Sequence, residues 1–379
     1  MSITKAAMLE RLGLRFIVEP QSVSLSSREK ELLAELKPLG VMFRRRNFLQ
    51  DVSYSEWLES YRQLLHDVRA AIGRDAIVTC VDHEGGQVHR FPAPITQFPY
   101  AMTYGESLSM VREVSRAMAI ELASLGINLT FSPVADVHSN PQNPVIHRRA
   151  FSTSPEVVAK AALCSAGEYR AQRIIPCAKH FPGHGDTSLD SHVALPVVSR
   201  TREALEQCEL IPFRALIQEG IEMIMTGHLV VPEIDPDNQA TISPRILGDL
   251  LRRQLHYSGM TISDALGMQA ILPDMRSGDF AVRAHRAGLD IFLMAGDVVS
   301  IEDAIVLRNE LYESIECGEI PHVDEDASIA FIQKLLGQIV MHGVEMLPDS
   351  VLQKHQALKD TLEKKSAGST FDFSPQGFE

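Results

Sequence analysis

Residues 174–192 read IIPCAKHFPGHGDTSLDSH. The first six, 174–179 (IIPCAK), read as a strand that is apolar up to Lys179. From Lys179 to His192 the chain carries three His, two Asp and one Lys, with Gly183 and Gly185 to let the backbone turn. A continuous apolar run suits a strand buried on both faces, as in a parallel sheet. The abrupt change to ionisable residues marks the end of that strand as the place where polar groups gather.

Seven further runs of the same kind are read near 12–17 (LGLRFI), 39–43 (LGVMF), 76–81 (AIVTCV), 127–132 (INLTFS), 222–226 (EMIMT), 260–264 (MTISD) and 289–294 (LDIFLM). Helical signals lie between them. Ser26 with Glu29 forms a capping box before an apolar periodic stretch. Ser154-Pro155 and Ser243-Pro244 read as an N-cap followed by Pro at the first helical position. Residues 106–124 and 201–219 carry apolar positions at helical spacing. Eight strands separated by helices predict an α/β chain folded as a single (β/α)8 TIM-type barrel with extra C-terminal helices. An open doubly wound sheet is the alternative. It lacks support, because no GxGxxG follows the first strand, Gly85-Gly86 is too short for a phosphate loop and no Walker motif occurs.

Helices are expected near 300–315, 325–343 and 350–364. The expected division is a catalytic unit over 1–345, followed by a helix and a mobile tail over 346–379. The opening stretch MSITKAAMLERLGLRF has no apolar h-region, so no signal peptide is expected. No run approaches the roughly 20 apolar residues of a membrane span. Cys80, Cys164, Cys177, Cys208 and Cys317 show no CxxC spacing and are expected as reduced thiols of a cytoplasmic protein. With 36 Lys and Arg against 49 Asp and Glu, the net charge of −13 disfavours a nucleic-acid partner. No cofactor and no metal site is expected. The partner expected is a small substrate, with the chain a monomer or weak dimer.

In a barrel the chemistry sits at the carboxyl ends of the strands. Here the third strand runs into Asp82-His83-Glu84-Gly85-Gly86, the fourth leads to Asp136, and the fifth ends at Lys179-His180. The sixth gives Thr226-Gly227-His228 and the seventh ends at Ser263-Asp264. A charge ending an apolar strand must be solvated or paired. Five such ends in succession point to a pocket. Asp190 and His192 are two apart, so in an extended loop they project to one side. An Asp beside a His fixes the imidazole tautomer and stabilises its cation, which makes His192 a candidate proton shuttle. Asp264 is aimed by its strand and could be a nucleophile, a base or a metal ligand; it could also cap a following helix. Asp82 is a candidate acceptor for substrate hydroxyls and Arg149 a candidate donor. The run Arg44-Arg45-Arg46 is either a solvated edge or places an Arg at the barrel mouth. Trp57 and the Met residues at 222–225 and 294 are expected in packing roles.

Four segments together carry a family resemblance: KHFPGHGDTSLDSH, VDHEGGQVHR, FSPVADVHSNPQNPVIHRRAF and ISDALGM. They resemble glycoside hydrolase family 3, and more narrowly its bacterial single-domain β-N-acetylglucosaminidases of peptidoglycan recycling. The similarity runs from about residue 12 to about 300, and the segment ending in Asp-Ser-His is highly specific. The resemblance implies a retaining mechanism. Asp264 stands at the nucleophile position, His192 at the general acid/base and Asp190 at the residue that orients it, so a His replaces the usual second carboxylate. It also implies that Asp82, Arg90, Arg149, Lys179 and His180 bind the terminal N-acetylglucosamine of a muropeptide. A move of the 180–192 loop that carries His192 over the site is expected.

The pattern departs from the family at three places. His83 and Gln87 stand in the usual D-Q-E-G-G-R-V, His147 replaces a usual Gly, and Arg44 replaces a usual aromatic. Larger family 3 β-glucosidases carry a second α/β domain, and the stretch after the eighth strand is expected to be too short for one. A glycosyl phosphorylase, a β-glucosidase and, more distantly, a metal-dependent barrel hydrolase built on His180, His184, Asp186, His228 and Asp264 stay open as alternatives.

Overall fold

The computed structural model describes residues 4–187 and 195–366. The chain opens with α1 (Lys5–Gly13). It then alternates through β1 (Phe16–Val18), α2 (Ser27–Leu36), β2 (Gly40–Phe43), α3 (Tyr54–Ile72), β3 (Val78–Val81), α4 (Leu108–Ser124), β4 (Leu129–Thr130), α5 (Pro155–Ala171) and β5 (Ile175–Phe181). There follow α6 (Arg202–Gln207), α7 (Leu210–Gln218), β6 (Met223–Thr226), a π-helix over Pro244–Gln254, β7 (Met260–Ser263), α8 (Leu272–Met275), α9 (Phe280–Ala287) and β8 (Phe292–Met294). Three helices, α10 (Ile301–Glu316), α11 (His322–Gln338) and α12 (Asp349–Ser366), come after the last strand.

The eight strands pair in the order β7-β6-β5-β4-β3-β2-β1-β8, and every pair is parallel. Between β7 and β8 the ring is drawn together by the bridge of Ile262 to Ile291. There the Ser263 amide donates to Ile291 O at 3.0 Å and the Ile291 amide to Thr261 O at 3.0 Å. The fold is therefore the (β/α)8 TIM-type barrel that the alternation of strands and helices predicts.

The side-chain alternation of each strand divides the core in two. Along β2, Met42 joins the barrel interior while Val41 and Phe43 pack outward on the helices. Along β7, Met260 and Ile262 point inward. Both faces of every strand are thus buried, which is why the strands read as unbroken apolar runs. Ile329, Ile332 and Leu335 of α11 join the interior cluster, so this helix is an apolar lid on the amino end of the barrel. It is pinned there by Glu325, whose Oε2 accepts from Arg15 Nη1 at 2.7 Å in a buried pair.

The capping box Ser26–Glu29 is present, and so are the Pro-led starts at Ser154 and Ser243. Two elements differ from the reading. The first strand begins at Phe16 rather than near residue 12, because Leu12 and Gly13 end α1. Met8 and Leu12 sit one helical turn apart and are both buried, and a side chain at Gly13 would collide with Leu36 O. The stretch 201–219 divides at Cys208–Glu209 into α6 and α7. Pro212 has no N–H for the Cys208 carbonyl, so one unbroken helix would lose that bond. Trp57 packs fully buried in α3, its indole donating to Ala93 O at 2.9 Å. All five cysteines are free thiols. Among the described residues no helix is long and apolar enough to cross a membrane.

Candidate active site

The chain places Lys179 and His180 in succession at the end of β5. Alternation would send neighbouring strand residues to opposite faces. Here the pairing of β5 with β6 shifts register between Ala178 and Phe181. Both side chains reach polar partners from neighbouring strand ends. Lys179 Nζ lies 2.7 Å from Asp82 Oδ1 and 2.5 Å from Glu84 Oε1. Glu84 is in turn gripped by Arg149, with Nε to Oε2 at 2.8 Å and Nη2 to Oε1 at 2.9 Å. This fork is the strong, directional form of the Arg–carboxylate pair. Arg90 Nη2 stands 3.9 Å from the other Asp82 oxygen.

The Lys179 and Glu84 side chains are only 2% and 4% exposed, so neither charge would persist there alone. Burial raises the Glu84 carboxyl, yet the charges of Arg149 and Lys179 hold it well below the ordinary carboxylate range. Burial lowers Lys179, and Asp82 and Glu84 more than reverse this. Glu84, Lys179 and Arg149 are thereby held in their charged forms, with Asp82 and Arg90 beside them.

On the other side of Lys179, His180 Nδ1 contacts Asp136 Oδ2 at 2.6 Å. The same carboxylate accepts from the backbone of His180, at 3.2 Å, and of His184, at 2.7 Å. Asp136 thereby fixes the ring and leaves Nε2 facing Arg149 Nη2 at 3.4 Å and Asp264 Oδ2 at 3.9 Å. Asp264 follows β7 directly. Its Oδ1 accepts from the Ala265 amide at 2.8 Å, so Oδ2 is the oxygen turned to the His180 side. Burial raises the Asp264 carboxyl, but His180, His228, Lys179 and the Ala265 amide bring it below its ordinary value. A carboxylate so held is ionised and fixed in place. The nearest following helix begins only at Leu272, so Asp264 does not act as its N-cap.

The loop beyond β5 is tied at its base. Asn143 Nδ2 donates to His184 O at 2.7 Å and to Thr187 Oγ1 at 3.1 Å, and Arg200 Nε lies 3.0 Å from Asp186 Oδ1. Asp190 and His192 lie outside the described residues. The structure thus brings together six of the residues singled out: Asp82, Arg90, Arg149, Lys179, His180 and Asp264.

Sequence pattern alone assigns no role to Glu84 or Asp136, and both are central here. Glu84 is two residues past Asp82, the same spacing used to pair Asp190 with His192. Asp136 stands out in the sequence only as a strand-end carboxylate. His228 is fully buried, with Nδ1 2.8 Å from Thr241 Oγ1 and Nε2 3.2 Å from Ala265 O, so it braces the segment after Asp264. Arg44 and Arg46 do reach the mouth: Arg46 Nε lies 3.1 Å from the buried Glu19 and Arg44 Nη1 3.5 Å from it. His147 adopts φ +34°, which explains why Gly would suit that position, and its ring lies against His138. His83 is buried against the rings of His89 and Phe91.

A closed parallel barrel with ionised, paired side chains at the carboxyl ends of its strands has the architecture of a barrel enzyme. The profile of the family described as "Glycosyl hydrolase family 3 N terminal domain" matches residues 10–335, and the chain belongs to that family. It is similar to the Beta-hexosaminidase of Nitrosomonas eutropha, 32% identical over 292 residues that make up 75% of this chain and 81% of the relative. It is also similar to Beta-hexosaminidase A of Pseudoalteromonas piscicida, 36% identical over 279 residues. That match takes in 67% of this chain and 46% of the relative, so the chain spans about half of that protein's length. Among solved structures, a glycoside hydrolase family 3 beta-N-acetylglucosaminidase from Paenibacillus sp. superposes with a TM-score of 0.84 at 28% identity, covering 96% of this chain and 69% of the other.

Proposed function

We propose that this chain is a retaining, exo-acting β-N-acetylglucosaminidase that removes a non-reducing terminal N-acetylglucosamine. The observation that carries the reading is the set of charges gathered at the strand ends: the ionised Asp264, its Oδ2 turned to His180, beside the Lys179–Asp82 and Lys179–Glu84 ion pairs. The named activities of its relatives support it.

In this reading Asp264 Oδ2 attacks the anomeric carbon as the bond to the leaving oxygen breaks. His192 gives its proton to that oxygen, and Asp190 orients the imidazole. His192 then takes a proton from water, which attacks the same carbon and frees Asp264. Asp82, Arg90, Arg149, Lys179 and His180 hold the sugar hydroxyls. The paired Lys179 and Asp82 offer a donor and an acceptor side by side, which suits a vicinal diol. The natural substrate is a muropeptide, N-acetylglucosamine joined to an anhydro-N-acetylmuramic acid with or without its peptide, processed in the cytoplasm.

The test is hydrolysis of an aryl β-N-acetylglucosaminide beside the matching β-glucoside, with phosphate and chelator controls. Expected is turnover of the first substrate only, indifferent to chelator. Asp264→Ala is expected to reduce kcat by about 10³-fold or more. A phosphorylated sugar product would replace hydrolase by phosphorylase, and loss of activity with chelator would overturn the metal-free mechanism.

A further inference from the structure

Glu121 of α4 is fully buried, although the helix could have turned it outward. Its carboxylate accepts three hydrogen bonds: from the Thr96 amide at 3.0 Å, from Thr96 Oγ1 at 2.7 Å and from His355 Nδ1 of α12 at 2.7 Å. A buried carboxylate with fewer partners would be costly, so the three groups are fixed to one another.

Thr96 belongs to the segment that lies directly behind the turn carrying Glu84. The Gly86 amide donates to Phe98 O at 2.7 Å, and Gln97 Nε2 donates to Gly86 O at 2.7 Å. A Cβ on Gly85 would stand 2.7 Å from Pro99 O and 3.0 Å from Phe98 O, so the two segments are in backbone contact. Glu84, one residue before, holds both Lys179 and Arg149. A continuous path of hydrogen bonds and close backbone contacts therefore leads from α12 through Glu121, Thr96–Phe98 and Gly85–Gly86 to the charged cluster of the site. Leu362 of α12 is anchored in the main core, which gives the helix a fixed base.

We infer that His355 is a positioning residue for the candidate active site: the C-terminal helix sets the place of Glu84, and through it Lys179 and Arg149, by way of Glu121 and Thr96. Only the kinetic part of this inference rests on the proposed glycosidase activity. The joint itself is read without substrate.

The experiment compares His355→Ala, His355→Asn and Leu362→Ala in the full chain. The Asn amide nitrogen falls close to where Nδ1 stands, so it restores the donor. Leu362→Ala loosens α12 without touching Glu121. Amide hydrogen exchange is measured at Glu84, Gly86 and Thr96 and at the central strands, beside kcat and KM for an aryl β-N-acetylglucosaminide. His355→Ala is expected to speed exchange at those three amides by about tenfold, the equivalent of one lost hydrogen bond to a charged group, with the strands unchanged. It is expected to raise KM about fivefold with a smaller change in kcat, and His355→Asn to bring exchange and KM back to within about twofold of wild type. Unchanged exchange at Glu84 and Gly86 in His355→Ala overturns the inference. So does an equal effect of Leu362→Ala together with a His355→Asn variant that stays as impaired as His355→Ala, which would mean that α12 docking matters and the His355–Glu121 bond does not. If wild type cleaves no N-acetylglucosaminide, the proposed function fails and the exchange data alone decide the joint.

Discussion

Glu84 is the residue on which the charged cluster turns. Its carboxylate faces two buried cations, forking Arg149 through both oxygens and contacting Lys179 Nζ. Removing one partner of a buried ion pair strands the other charge. Glu84→Gln is therefore expected to destabilise the fold by about 3 kcal/mol, read as a shift in urea-unfolding midpoint with unchanged slope. The same variant should lose most of its activity, because Lys179 and Arg149 would no longer be held. A Glu84→Gln protein as stable as wild type would show that Asp82 takes over the pairing of these cations or that water solvates them. At this scale the sequence was informative for Asp264, since a carboxylate ending an apolar strand has few bland explanations. It was less so for Asp136, whose work is to accept from residues 44 and 48 positions further along. No local pattern announces a partner at that distance.

Among the elements, the loops after β4 and β5 matter most to the site, and they touch at Gly185. A Cβ there would sit 1.6 Å from Val137 O, so the two loops can approach only with Gly at this point. Gly185→Ala is expected to push the loops apart by about 1 Å and to lower kcat/KM by about 10²-fold, since catalytic geometry is lost at that displacement. A variant within threefold of wild type, measured on the aryl substrate, would mean that the loop after β5 re-closes by another route. Helix starts were legible for a local reason. Ser26 and Glu29 satisfy each other's backbone amides within one turn, and Ser53 with Glu56 does the same at α3. Ser53→Ala should cost about 1 kcal/mol in denaturant unfolding with little effect on activity, because α3 carries no site residue. The break between α6 and α7 was less legible. Apolar periodicity runs straight across it, while Pro212 and the buried Glu209, held by Ser139 Oγ at 2.8 Å, divide the helix.

Over the whole molecule, several histidines are buried as neutral rings. Burial chiefly lowers His89 and His184 to about 4 and His285 to about 3, and it takes His83 well below its usual value. In the unfolded chain these rings take up protons near pH 6.5. Between about 6.5 and about 4 the unfolded chain therefore holds more protons, so stability rises with pH across that window and is lost as pH falls through it. Calorimetry is expected to show Tm falling steadily from pH 6.5 to pH 4, with net proton uptake on unfolding. A flat Tm across that range would mean that these rings are charged, or reached by water, in the native barrel.

The sequence by itself determined the barrel, because a parallel strand buried on both faces has to be apolar throughout and the helices between strands carry their own caps and periodicity. It also determined which residue types stand at the strand ends, since charges there interrupt runs that are otherwise apolar. Tertiary structure alone decided how those charges are shared. Glu84 with Arg149, Asp136 with His180, and Glu121 with Thr96 and His355 are separated by 25 to 234 positions. Such pairings depend on which strand ends and helices the closed ring brings side by side, and on the low-dielectric surroundings that make each unpaired partner costly.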